Sequence, residues 1–147
     1  MASGCWTDLL PKDGPTPAGT VQAMLNGGVA HTTTALAQVK SDPMTVSGAS
    51  PELTFALTAG DAATGASAKT ALGLPSASLD LVLSATSRSK LEVHLESSGC
   101  VAQSGTVHLA TDANMVLSGD FQVTGMVFNG TDGCSVGGTL AGVPIDH

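Results

Sequence analysis

The sequence predicts a single all-β domain, and three features carry that prediction. Charged residues make up only 12% of the 147 residues, so long amphipathic helices with charged outer faces are scarce. Short apolar runs are separated by turn-forming residues, among them many of the 18 glycines. In the second half of the chain, apolar and polar residues alternate, as they do in half-buried strands. About nine or ten short strands of this kind predict an antiparallel β-sandwich or a partly closed barrel.

Turn chemistry predicts a hairpin near the start of the domain. Residues 20–25 and the segment from Val29 onward flank the turn Asn26-Gly27-Gly28, and Asn-Gly supplies the positive φ angles that tight hairpins need. The following segment is rich in Thr and Ala, and a short helix over residues 33–40 is the alternative to a strand there.

The middle of the chain is predicted with less detail. Short strands are expected at residues 44–47 and 53–57, where apolar residues alternate with polar or small ones. Residues 60–78 are rich in Ala, Gly, Thr and Ser, and they are predicted to form a loop with one edge strand.

Alternating apolar residues in the second half predict one buried face. A hairpin folded about residue 112 would place Val107 opposite Leu117, and one folded about residue 101 would place Val93 opposite Leu109. In both registers the odd-numbered residues point inward, as a meander requires. A bulge at Thr124-Gly125 is expected to shift that parity, so that even-numbered residues beyond it point inward. The predicted buried face consists of Leu91, Val93, Leu95, Val107, Leu109, Met115, Leu117, Phe121 and Val123.

The three cysteines predict one disulfide and one odd residue. Cys5 stands apart near the start of the chain, which leaves Cys100 and Cys134 to pair. Neither of these two lies in the C-x-x-C spacing of a metal or redox site. Because disulfides persist in oxidising compartments, the pair predicts an exported protein.

The N-terminal run Ala2-Ser3-Gly4-Cys5 resembles the end of a bacterial lipoprotein signal, in which cleavage precedes a cysteine that carries the lipid. A stretch containing Pro, Gly and Thr follows, which suits a tether. The resemblance to the β-domains of bacterial lipoproteins covers only the first twenty residues, and Ala2 stands where such signals usually have Leu. It implies lipidation at Cys5, a location in the bacterial cell envelope or at the cell surface, and no catalytic residues. The expected organisation is a tether over residues 1–18 and one β domain over residues 19–147.

Charge and aromatic content argue against several classes of partner. The net charge is −7, and the five basic residues are scattered rather than clustered, which argues against nucleic acid. The chain has no Tyr, one Trp and three Phe, so it offers few aromatic platforms for sugars or single-stranded nucleic acid. No apolar run approaches the roughly eighteen residues that a membrane-spanning helix needs.

The strongest candidate for metal binding is a group of surface residues. The predicted register places His94 and His108 on the same outward face of adjacent strands, together with Glu92 and Glu96. Two imidazoles and a carboxylate could hold Zn²⁺ or Cu²⁺. The alternative is a solvated polar face on which His alternates with Glu for solubility.

Other candidate sites have weaker motifs. Asp112 with Asn114, or Asp132 with Asn129, could supply ligands to a structural Ca²⁺, although neither pair matches the twelve-residue calcium loop. The triplet at residues 129–131 fits an N-glycosylation acceptor, and in an exported bacterial protein it predicts a hairpin turn instead. No Gly-x-Ser-x-Gly elbow lies between a strand and a helix, the context in which hydrolases use that motif.

Together these features predict a non-enzymatic module of the cell envelope or cell surface. It would bind another protein, or assemble with itself, through sheet edges or loops. The alternative is a carrier of a small apolar ligand, held in a cavity inside the β fold. Neither catalytic residues nor a required cofactor are expected, and contact with the membrane is expected only through an N-terminal lipid.

Overall fold

A computed structural model describes residues 19–40, 43–61, 67–84, 86–95, 98–127, 130 and 132–146. Most of these residues belong to one curled sheet that forms a half-barrel, in agreement with the predicted all-β class. Its strands are β1 (Thr20–Leu25), β2 (Ala30–Thr34), β3 (Leu36–Gln38), β4 (Met44–Ala49), β5 (Leu53–Ala59), β6 (Ser78–Leu83), β7 (Lys90–Leu95), β8 (Gly99–Thr111), β9 (Leu117–Val127), β10 (Gly133–Val143) and β11 (Ile145–Asp146). One short helix, α1 (Ala68–Leu72), lies between β5 and β6.

The order of the strands brings the two ends of the sheet towards each other. Along the sheet the order is β11, β3, β4, β5, β7, β8, β9, β10, β1 and β2. Only Ala35 separates β2 from β3, so one stretch of chain pairs with β1 at one end and with β4 near the other. A side chain at Gly48 of β4 would collide with the carbonyl group of Thr34 in β2. The backbones of β2 and β4 are therefore closely packed.

Strand β8 is the longest strand, and it has two partners along one edge. Its first residues pair with β7, and Gly105–Ala110 pair with β6. Strand β9 pairs along the other edge of β8. Strands β6 and β7 therefore lie end to end beside β8, and residues 84–89 connect them.

The N-terminal hairpin forms as predicted, with Met24 opposite Ala30 and positive φ angles at Asn26 and Gly27. The alternative helix over residues 33–40 is absent, because β3 occupies that segment.

The segment predicted as a loop with an edge strand instead contains helix α1. Ala68 and Leu72 are four residues apart, so they share one helix face, and both are fully buried. The anchoring of these two side chains in the interior explains why a segment of small residues forms a helical turn.

The predicted register of the β8–β9 hairpin is wrong by four residues. Val107 pairs with Phe121 rather than with Leu117. The turn is longer than predicted, because the Asp112 carboxylate accepts hydrogen bonds from the backbone N–H groups of Asn114 and Val116, at 2.8 and 3.0 Å. A shift of four residues preserves the alternation, so the same side chains still point inward.

The predicted register of β7 against β8 is also wrong. Val93 lies opposite Cys100, and the strand opposite Leu109 is β6, through Leu79. An irregularity at Gln103 in β8 changes the inward-pointing residues from even-numbered to odd-numbered. Both Cys100 and Val107 therefore point inward.

The predicted bulge at Thr124-Gly125 is on the wrong strand. Strand β9 stays in register with β10 from Gly119 to Met126, and the bulge lies opposite, in β8. Consequently Val127, rather than Met126, packs against the core.

Seven of the nine residues of the predicted buried face are buried. Leu95 and Met115 are half-buried. Met115 lies in the β8–β9 turn with a positive φ angle, beyond the regular pairing of the hairpin. The other members of the predicted face are buried: Leu91, Val93, Val107, Leu109, Leu117, Phe121 and Val123.

Two aromatic rings meet across the interior of the curled sheet. Phe55 in β5 and Phe121 in β9 are separated by two intervening strands along the sheet, yet their ring centroids are 5.5 Å apart. Both side chains are almost completely buried. The opposite walls of the half-barrel are therefore in contact at this point, and aromatic side chains fill the space between them.

The Cys100–Cys134 disulfide forms as predicted and joins β8 to β10 across the intervening strand β9. The two Cα atoms are 6.0 Å apart, whereas strands two places apart in a flat sheet lie about 9.5 Å apart. The sheet is thus sharply curled here. Gly125 of β9 pairs with Cys134, and a side chain at Gly125 would collide with the backbone of Val101 and Ala102. A residue without a side chain is required at this position.

Removal of the disulfide should lower stability substantially. The two cysteines are separated by 34 residues, and closing such a loop stabilises the native state by about 3–4 kcal/mol on the chain-entropy model. We expect a loss of this size in urea unfolding for the variant Cys100→Ala/Cys134→Ala, and almost none for the control Cys5→Ser. Peptide mapping without reductant that found free thiols at both 100 and 134 would contradict the pairing.

Substitution at Gly125 tests the sharp curl of the sheet. We expect Gly125→Ala to lower the free energy of unfolding by about 2–4 kcal/mol, because the new methyl group meets backbone atoms that cannot move independently. Gly133→Ala is the matched control, since a Cβ at Gly133 would make only an ordinary van der Waals contact, at 3.9 Å from the carbonyl oxygen of Gly125, and its effect should stay within about 0.5 kcal/mol. Equal losses for the two variants, measured by urea unfolding with the disulfide intact, would show that Gly125 is not specifically required.

Candidate functional site on the outer face and free edge of the sheet

The predicted metal ligands are not brought together. His94 lies opposite Gly99 at the start of β8, and His108 is nine residues further along that strand, which corresponds to about 25–30 Å. Nε2 of His94 is 3.1 Å from a carboxylate oxygen of Glu92 on the same strand. Within the described part of the chain, no group of three or more His, Cys, Asp or Glu residues is arranged to hold a metal ion.

His108 instead forms a polar cluster with two aspartates on neighbouring strands. Its Nδ1 is 2.6 Å from a carboxylate oxygen of Asp80 in β6, and Asp120 in β9 is its cross-strand partner on the other side. The side chains of His108 and Asp80 are 47% and 64% exposed. Water therefore screens the pair, and its contribution to stability is small.

A shallow groove of about 450 Å³ runs beside this cluster over β8, β9 and β10. An Asp–His pair can orient a catalytic imidazole, but that role also needs a nucleophile and donors aimed at developing charge. Ser118 also lines this groove, and no hydrogen bond joins its hydroxyl to His108 among the described residues. The groove is lined by His108, Ala110, Ser118, Gly119, Asp120, Thr139, Leu140 and Ala141.

A second groove, of about 420 Å³, lies near the disulfide and has a similar polar character. Four of its lining residues already bond to one another in pairs. Asn26 Oδ1 accepts from the Ser135 backbone N–H at 2.9 Å, and the hydroxyl oxygens of Ser104 and Thr124 are 2.7 Å apart. The groove contains no aromatic side chain on which a sugar or base could stack.

The candidate calcium ligands have local roles or are not described. The Asp112 carboxylate holds the β8–β9 turn through two backbone N–H groups. The other predictions that involve Cys5, Glu96, Phe128 or Asn129 lie outside the described residues.

The most distinctive surface feature is the outer edge of β6. The backbone N–H of Thr111 donates to the carbonyl oxygen of Ala77 at 2.8 Å. In an antiparallel ladder this places the N–H and C=O groups of odd-numbered β6 residues towards β8, and those of Ser78, Asp80 and Val82 away from it. Among the strands that the structure describes, β8 is the one partner of β6. Its outward groups therefore form a free edge.

Exposed apolar side chains accompany this free edge. Val82 is 49% exposed, and Leu74, shortly before β6, is 59% exposed. The sequence signal for this surface was Val82, an apolar residue at an outward-facing position of an alternating strand. The alternation of Leu79, Leu81 and Leu83 predicted the strand itself, but not that it would be an edge.

The chain matches no protein-family model, no curated protein and no solved structure. The described residues include no helix of sufficient length and apolar character to cross a membrane.

The separation of His94 from His108 makes their responses to Zn²⁺ independent. We expect His94→Ala to leave any Zn²⁺-induced shift of the His108 imidazole NMR signals unchanged, and His108→Ala to leave those of His94 unchanged. Tight binding that disappears in both variants would instead require the two residues to share one site.

Proposed function

We propose that this domain is a non-enzymatic binding or assembly module of the bacterial cell envelope or cell surface, and that β6 is its working edge. The free outer edge of β6 is the observation that carries the proposal. Unpaired N–H and C=O groups along a strand form a template for another strand, and many protein pairs associate in this way.

The edge of β6 lacks the features that usually prevent such pairing. Exposed edges are commonly blocked by Lys, by Pro or by a bulge, and β6 contains neither Lys nor Pro. Its one charged residue, Asp80, contacts His108 on the neighbouring strand at 2.6 Å. The regular pairing of β6 with β8 includes no bulge. These features support the addition of a partner strand along the part of this edge that α1 leaves uncovered.

The cellular location rests on the cysteines. A disulfide between Cys100 and Cys134 is compatible with an oxidising compartment. The run Ala2-Ser3-Gly4-Cys5 adds the lipid-anchored arrangement, with the β domain held at the envelope by a tether. Lipidation at Cys5 is part of the proposal.

The carrier alternative is less favoured. Contact between Phe55 and Phe121 occupies the interior between opposite walls of the sheet. The two grooves lie on the outer face and are lined by many Ser, Thr and Gly residues, rather than by the apolar side chains that hold an apolar ligand.

Photo-cross-linking in the bacterial host tests the working edge. A photoreactive amino acid in place of Val82 should give an adduct with another polypeptide chain, whereas the same residue in place of Val29 should give several-fold less. Val29 is the matched control because it is also exposed and apolar, at 59%, and lies in the β1–β2 hairpin, away from β6. Adducts of equal yield at both positions, or none at 82, would contradict the proposal.

Location has its own readout in the same host. We expect the wild-type chain to label with an alkyne fatty acid and to fractionate with membranes, and Cys5→Ser to lose both properties.

A small apolar molecule that remains bound to the protein in native mass spectra would instead support the carrier.

A further inference from the structure

We infer that the partner of the β6 edge is the β6 edge of a second copy of this chain, paired antiparallel about a two-fold axis at Val82. This inference rests on the proposed function, and it names the partner. In this arrangement the two half-barrel sheets join into one continuous sheet. Three features of the edge support a second copy: its register, its side chains and its charge distribution.

The register follows from which groups point outward. The outward N–H and C=O groups belong to even-numbered residues, and antiparallel strands bond through residues that face each other with those groups. A two-fold axis at Val82 pairs Val82 with its own copy and Asp80 with Ser84. Both N–H···O bonds of the central pair then form between the two Val82 residues.

The side chains favour this axis over its neighbours. Val82, 49% exposed in the single chain, would bury its surface against the same side chain of the partner. A two-fold axis at Asp80 would place two carboxylates directly opposite each other, which is destabilising. An axis at Leu81 would set Asp80 against Val82, and the apolar surface would be buried against a charge. The axis at Val82 gives Asp80 a hydroxyl partner, Ser84.

The charges at the two ends of β6 are of opposite sign. At its start lie Asp80 and Asp112, whose carbonyl oxygen accepts from the Ser76 backbone N–H at 3.1 Å. Beyond its end lie Lys90 and Arg88, the latter ion-paired with Asp61 of the same chain at 2.9 Å. Antiparallel pairing brings Asp80 and Asp112 of one copy towards the end of β6 that precedes Lys90 in the other, twice in each dimer.

The contact is expected to be weak. Strand β6 has six residues, so the pairing buries less surface than a standard stable interface. Each copy carries a net charge of −7, so two copies repel each other. At physiological ionic strength this repulsion is largely screened only between charges more than about 8 Å apart. We therefore expect a dimer with a Kd in the micromolar range, which tethering to a membrane surface would favour.

Cysteine cross-linking tests the two-fold axis directly. In a Cys5→Ser background, Val82→Cys should give a covalent dimer under mild oxidation, because Cα atoms of such a pair lie about 5.5 Å apart, within disulfide range. Val29→Cys is the matched control and should give at least tenfold less. Ser78→Cys should also cross-link poorly, since its counterpart at this axis is Thr86. Equal yields for the three variants would overturn the register.

Sedimentation of the full chain tests the interface itself. At about 100 μM, an interface with a low-micromolar Kd is mostly occupied, so the wild type should sediment as a dimer. Val82→Asp should weaken the dimer at least tenfold and Val29→Asp should not, with folding of both checked by urea unfolding. A dimer that is indifferent to Val82→Asp would overturn the β6 interface.

The two proposals fail in distinguishable ways. A wild-type chain that stays monomeric at about 100 μM would overturn the dimer, because the Kd would then lie well above the micromolar range. If position 82 then photo-cross-links to a different protein in the host, the proposed function survives with another partner. If position 82 gives no adduct at all, both proposals are overturned.

Discussion

One continuous buried face is the constraint on which this fold depends. Every strand of the curled sheet must present its apolar side chains to the same interior, where Phe55 and Phe121 meet at 5.5 Å. Because side chains alternate strictly along a strand, an unpaired extra residue reverses which ones point inward. The irregularity at Gln103 in β8 is therefore not incidental. It lets Cys100 reach the disulfide while Val107 remains in the core.

The disulfide and Gly125 act on this constraint together. A sheet that curls enough to bring β8 and β10 within 6.0 Å at the disulfide has no room on its concave side for a side chain from β9. Glycine at 125 removes that obstacle, and the covalent bond then holds the curl.

The alternation of apolar and polar residues made the buried face predictable, but it did not predict which residues of neighbouring strands pair. Leu91, Val93 and Leu117 could be assigned to the interior because any even shift of pairing leaves them there. Alternation could not reveal the four-residue error in the β8–β9 register. The length of that turn depends on hydrogen bonds to a single carboxylate, that of Asp112. The metal-site hypothesis was more sensitive. It needed His94 and His108 to be neighbours, and the division of β8 between β7 and β6 separates them.

The free edge of β6 is a consequence of how the sheet is divided. Strand β5 pairs with β7 and would reach β6 if it continued, but it stops at Gly60, where a side chain would collide with Arg88 in the 84–89 connection. The backbone N–H of Gly60 instead donates to Ser89 Oγ at 3.1 Å, and its carbonyl oxygen accepts from the N–H of Ala68 at the start of α1. Helix α1 contacts β6, and its side chains Ala68 and Leu72 are buried in the interior. Among the described strands β8 remains the one partner of β6, and its other edge is where we propose that a partner strand adds.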